Sequence, residues 1–228
     1  MAPRRVGHHA RVMSATVIQM PRRRHHRVAA LQTVGTGILG ALLWTAFAVE
    51  HIHVFLRTGR VVGIGLAVVE LYAAALFMMR RPAQRTSQRS LDWAVALIGT
   101  FGALALRPGG AHSPTGDALG LAIQAIGVLV VLAGLGSLGR SFGLVAAQRH
   151  LVTRGPYRIV RHPLYAAYAL IQIGYLVQSF RVWNLVVLAA VWTCQIARIR
   201  AEERLLSGDL DYVRYSHVTR SRLVPGLW

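Results

Sequence analysis

The chain has 228 residues, 54% of them hydrophobic, and a formal charge of +18. A mean hydropathy of +0.43 argues against an ordinary soluble domain, and the single cysteine, Cys194, excludes an intrachain disulfide or a multi-cysteine metal site. All 26 basic residues are arginines lying between apolar runs rather than on one polar domain. That distribution points away from nucleic acid and toward a membrane protein with basic connections.

In chain order, residues 1–27 form a basic tail rich in Arg and His, read as lying against anionic lipid. The apolar run after it is too long for the core of a cleaved signal. Six membrane-length segments are expected: about Val28 to Val49, with its helix running on toward Leu56; Val61 to Met79; Leu91 to Leu106; Ala118 to Leu138; Leu164 to Phe180; and Val182 to Ala197. Only Arg181 separates the last two, so they are expected to form a tight antiparallel hairpin. Sixteen or 17 residues of helix reach about 25 Å, slightly short of a bilayer core of about 30 Å. The fold class expected is therefore all-α: a polytopic membrane protein of about six transmembrane helices. Its three regions are a tail (1–27), N-terminal membrane helices (28–137) and a core (138–228).

Arginine placement sets an expected topology. Alternate connections carry 22 arginines on one side and four on the other. By the positive-inside rule both termini are cytoplasmic, and the expected location is a bacterial inner (plasma) membrane. Membrane lipid is the expected surrounding partner; no nucleic acid is.

Polar chemistry gathers at two helix ends. Residues 151–165 pack Thr, Arg, Tyr, Gly, Pro and His directly before the fifth apolar run. Pro163 suits the first turn of a helix, where its missing N–H is not needed. Arg161 and His162 then stand at that helix's N-terminus, where free N–H groups favour an anion. Tyr157 and Tyr165 offer ring faces to an adenine or a cation; an interfacial Tyr/Arg belt is the plainer alternative. At the end of the sixth run, Arg198 and Glu202 share a helix face. They are either an exposed ion pair of small worth or ligand-binding groups, the carboxylate for an ammonium or ribose and the guanidinium for an anion. Glu50, His51, His53, Glu70 and Asp92 are further polar groups within or near apolar segments, where such groups are expensive. Trp44, Trp93, Trp183, Trp192 and Trp228 read as interface or packing residues.

These residues carry a resemblance. The run Leu-Val-Thr-x-Gly-x-Tyr-x-x-x-Arg-His-Pro-x-Tyr (Leu151 to Tyr165) is followed by Arg-x-x-x-Glu-Glu-x-x-Leu (Arg198 to Leu206), Tyr-x-x-Tyr (Tyr212, Tyr215) and Arg-Leu-Val-Pro-Gly (Arg222 to Gly226). Together they resemble the isoprenylcysteine carboxyl methyltransferase family over roughly residues 138 to 228, with phospholipid N-methyltransferases as relatives. The resemblance implies S-adenosyl-L-methionine as methyl donor, in a cytoplasm-facing cavity roofed by the C-terminal segment. It also implies a lipophilic acceptor arriving from the membrane. By position, His150, Leu151, Val152, Tyr157, Arg161, His162, Pro163, Tyr165 and Glu202 would form the cofactor site. Arg198 would face the acceptor and Glu203 would support the chemistry; no metal is implied. The chain departs from the family at Ala167, where Gly is common, and in the short connection Ser207 to Asp211.

The expected activity is methyl transfer to a lipophilic acceptor, foremost a carboxylate, which needs no general base. An amine or thiol must first lose a proton, for which His162 or Glu203 would be the candidates. A non-catalytic transporter or scaffold is the alternative of another class. A sterol-type reductase would need a nicotinamide site that no sequence feature requires.

Overall fold

The computed structural model describes residues 22–83, 85–109 and 113–228, with side chains described from residue 34 onward. The basic tail therefore lies outside the described residues as far as residue 21. The helices are α1 (Arg22–Thr58), α2 (Val62–Met79), α3 (Ser90–Phe101), α4 (Pro114–Leu138), α5 (Pro163–Gln178), α6 (Val182–Leu206) and α7 (Leu210–Val218). A 3₁₀ turn, Gly102–Ala105, prolongs α3. Two short antiparallel strands, β1 (Arg85–Thr86) and β2 (Ala147–Gln148), pair Arg85 with Gln148 and Thr86 with Ala147.

Local chemistry sets the helix ends. Ser113 caps α4 by accepting from the Gly116 N–H at 3.0 Å, and Pro114 opens the first turn. Pro163 opens α5 in the same way. Among the described residues, four segments are long and apolar enough to cross a membrane: Val34–Thr58, Val62–Met79, Pro114–Ser141 and Val182–Leu206. The α3 segment and α5 are shorter, yet they run between the same two faces. At one face Asn184 closes both ends of the Arg107 backbone, accepting from its N–H at 2.9 Å and donating to its carbonyl at 2.9 Å. It also donates to the Ser179 carbonyl in the α5–α6 turn. The β1–β2 pair lies at the other face, in the connections richest in arginine. Exposed Leu39, Leu42, Leu129 and Val186 present the apolar exterior that lipid requires.

The α5–α6 turn is as tight as expected, and within the hairpin it makes, each helix packs mainly on another partner. α1 packs on α2, α4 on α5, and α3 on α6. Between α5 and α6, long polar side chains span the space: Trp192 donates to Gln172 at 2.7 Å, and Tyr165 donates to Glu202. The reason lies in α4. A Cβ on Gly120 would stand 2.6 Å from the Gly174 carbonyl, and one on Gly174 would stand 2.6 Å from the Gly120 carbonyl. Backbones this close select α4 as the partner of α5, as small residues do between membrane helices. Gly174→Leu is accordingly expected to lose about 1–3 kcal/mol through overpacking, read as a lower thermal midpoint in detergent; an unchanged midpoint would mean that the pairing is set elsewhere.

The core lies where α2, α4 and α5 meet, with Leu76, Phe77, Val131, Leu135, Phe142 and Ala167 buried together. Two polar pairs tie helices of the bundle together. His51 Nδ1 lies 3.0 Å from Glu70 Oε2 and 3.1 Å from the Phe47 carbonyl, so Nδ1 carries the proton and links α1 to α2. Asp92 accepts from Ser87 and from Arg204, the latter at 3.0 Å on both oxygens, joining α3 to the end of α6.

Candidate active site at the arginine-rich face

As expected from the shared face of Arg198 and Glu202, the helix runs on past the apolar segment that ends near Ala197, as far as Leu206, which carries Arg198, Glu202 and Glu203 up to the loop 139–162. Gly155 turns that loop with φ +58, and a Cβ there would collide with Ser137. The following 3₁₀ turn, Gly155–Arg158, buries Tyr157, whose carbonyl accepts from the Tyr215 hydroxyl at 2.6 Å. The C-terminal segment is laid along the same loop. The Arg161 N–H donates to Ser221 and the His162 N–H to Arg222, both at 2.9 Å.

A cavity opens between these parts. Its walls include His150, Leu151, Val152, Tyr157, Arg161, His162, Tyr165, Arg198 and Glu202, nine of the eleven residues singled out in the sequence. Glu202 is its one carboxylate. It accepts from the Tyr165 hydroxyl, lies 3.5 Å from Arg198 Nε and 3.8 Å from His162 Nδ1. The Arg198 guanidinium lies 5.3 Å from the Tyr165 ring centroid. It also donates to Thr100 Oγ1 at 3.1 Å and to the Leu144 carbonyl.

Pro163 and Glu203 are not on the cavity wall. Pro163 is wholly buried and acts by starting α5. Glu203 faces behind the wall, 3.0 Å from Arg161 Nε, 3.3 Å from His162 Nε2 and 2.8 Å from Arg222 Nε. A carboxylate committed to three partners and turned from the cavity is not placed to take a proton from an acceptor, so the expected catalytic part for Glu203 is corrected to that of a buttress. Arg161 likewise reaches back to the Ser216 and Thr219 carbonyls. Glu203→Gln should loosen the C-terminal segment without unfolding the bundle. Hydrogen exchange at the Arg222 amide is expected to rise about tenfold or more, since hydrogen bonds to charged groups contribute about 1.5–3 kcal/mol; unchanged exchange would remove Glu203 as the tie.

Several lining residues escaped the sequence reading. Tyr168 stands one turn beyond Tyr165, with ring centroids 6.3 Å apart, and its spacing of three was a legible sign of a shared face. Tyr212 and Tyr215, known only as motif positions, close the cavity from α7. Burial raises the phenols of Tyr157, Tyr212 and Tyr215, the last to about 12, so all three stay neutral at physiological pH. Arg149 also lines the cavity. Burial, then the nearby Arg80 charge, lowers it to about 10, which leaves it cationic at neutral pH.

The phospholipid methyltransferase family model matches residues 116–209. The matched stretch runs from the first turn of α4 through α5 and α6 to the residue before α7, and so takes in the walls bearing Tyr165, Arg198 and Glu202. It indicates a membrane methyltransferase. No curated protein matches the chain.

Proposed function

We propose that the chain is an integral membrane methyltransferase that draws on S-adenosyl-L-methionine and methylates a lipophilic acceptor at a carboxylate oxygen, in the manner of the isoprenylcysteine carboxyl methyltransferases. The observation that carries this reading is Glu202, one carboxylate set in a cavity of tyrosine faces and cations. That donor set fits the cofactor. Glu202 suits its ammonium or ribose hydroxyls, Tyr157 and Tyr165 suit the adenine or the sulfonium, and Arg149 suits its carboxylate. His150, Leu151 and Val152 would complete the cofactor wall. When bound, S-adenosyl-L-methionine supplies a methyl already activated for displacement, so the protein's work is positioning and exclusion of water. Buried Arg198 lies beside the Tyr165 ring, pairs with Glu202 and donates to Thr100 and the Leu144 carbonyl, which leaves little of its fork for clamping an acceptor.

The state of the bases favours the carboxylate. A carboxylate acceptor is ionised at neutral pH and needs no base. His162 and Glu203, on which an amine or thiol would call, are engaged with one another. His150, exposed at the rim, is the group that an amine or thiol reaction would use instead. Positive-inside placement puts the cavity and both termini at the cytoplasmic face, in keeping with a bacterial plasma membrane and a cytoplasmic methyl donor.

Calorimetric titration of the detergent-purified chain with S-adenosyl-L-methionine tests the cofactor. Methyl-labelled cofactor offered with a prenylated cysteine acid, a phosphatidylethanolamine and a long-chain thiol then tests the acceptor. Saturable binding and label released as methanol by alkali, the behaviour of a methyl ester, are expected. Alkali-stable label would move the reading to an amine or thiol. Failure of the folded chain to bind would return it to a non-catalytic membrane protein.

A further inference from the structure

The eight carboxylate side chains of the sequence all have places away from one group of arginines. Glu70 is bound to His51 and Asp92 to Arg204; Glu202 and Glu203 serve the cavity; Asp209 accepts from Gln148 and Asp211 lies by Arg214. Asp117 begins α4, and Glu50 lies toward the far end of α1. At the C-terminal ends of α2 and α4, Arg80, Arg81, Arg140 and Arg149 come together with no carboxylate in ion-pair contact among the described residues. Glu202 reaches Arg149 only as a more distant charge. Residues 1–33, whose side chains are not described, contain no Asp or Glu.

The group is built rather than scattered. Arg80 donates to Thr36 and lies over the Phe77 ring at 5.0 Å. Arg140 Nε donates to the Met79 carbonyl at 2.7 Å, which closes the end of α2. Arg149 Nε donates to the Arg81 carbonyl at 3.3 Å, and the Arg81 N–H donates to the Arg140 carbonyl at 2.8 Å. Among the described residues each of three guanidiniums is thus fixed by one donor, with the rest of its five N–H groups left over. Arg80 Nε is buried without a hydrogen-bond partner among the described residues. Directly below, Met78 and Met79 expose 58% and 51% of their surface, on a helix long and apolar enough to cross the membrane.

Cations above and exposed apolar surface below match the two halves of one kind of molecule. We infer that Arg80, Arg81 and Arg140 form a binding site for the phosphate headgroup of an anionic membrane lipid, whose acyl chains lie along the exposed end of α2, with Arg149 bracing Arg81 from the cavity side. Guanidinium forks bind phosphate oxygens in pairs, and juxtamembrane basic groups attract anionic lipid. The site adjoins the cavity through Arg149 and does not depend on the transfer reaction.

The test is binding of short-chain dioctanoyl phosphatidylglycerol to the detergent-purified full chain, with dioctanoyl phosphatidylcholine and inorganic phosphate as parallel probes. Saturable binding of phosphatidylglycerol is expected, tighter than that of either other probe. It should weaken tenfold or more in R81Q/R140Q and hold in R57Q/R60Q, a pair at the arginine-poor face. Arg81 is exposed and its side chain makes no bond among the described residues, so the single variant R81Q carries the same test with a smaller loss should the double variant not fold. Equal binding by the double variant and the parent overturns the site. Inorganic phosphate binding as tightly as the lipid overturns the lipid as its occupant.

Discussion

Glu202→Gln is expected to weaken S-adenosyl-L-methionine binding roughly ten- to hundredfold while the chain stays folded. Hydrogen bonds to a charged group contribute about 1.5–3 kcal/mol, and each 1.4 kcal/mol is a factor of about ten in affinity. Glutamine keeps an oxygen to accept from Tyr165, so the local geometry persists while the charge goes. The bundle should tolerate this, because Arg198 retains Thr100 and the Leu144 carbonyl. Calorimetry alongside a melting curve separates the two effects. Undiminished affinity in a well-folded variant would take Glu202 out of the cofactor site and with it the main support for the proposed function.

Arg198→Ala should be the more damaging change. It removes a buried cation joined to α3 through Thr100, to the loop through Leu144 and to Glu202 on its own helix. Breaking a buried pair by deleting one partner typically costs about 3–5 kcal/mol, so a markedly lower thermal midpoint is expected. Cofactor affinity should fall with it, because Glu202 loses the cation that positions it. Arg198→Lys keeps the charge but not the fork and should recover part of the stability. If Arg198→Ala instead left stability and cofactor binding intact and cut turnover alone, Arg198 would be an acceptor residue, as the family resemblance implies.

Residues that act over one helical turn were the readable ones. The four-residue spacing of Arg198 and Glu202 put them on one face, and Pro163 announced the start of α5. Glu203 misled because its sequence neighbour is the cavity carboxylate, whereas its side chain, 100° further round the helix, meets Arg161 and Arg222 from distant segments. The partner of α5 was written in glycines at positions 120, 127 and 134, a small-residue stripe every seventh position along α4. A short connection alone suggested α6 instead. Arg149 reached the cavity wall by way of two-residue strands, which are too brief to leave any periodicity in the sequence.

The unequal pairing of the helices divides the stiffness of the molecule. The α4–α5 wall is held backbone to backbone, where displacement meets immediate repulsion. The α5–α6 side is spanned by separate hydrogen bonds, and such bonds between membrane helices average only about 0.6 kcal/mol each. Thermal motion is therefore expected mainly on one side of the cavity, with the tyrosines of α5, and His162 just before it, as the fixed reference for the Glu202 side.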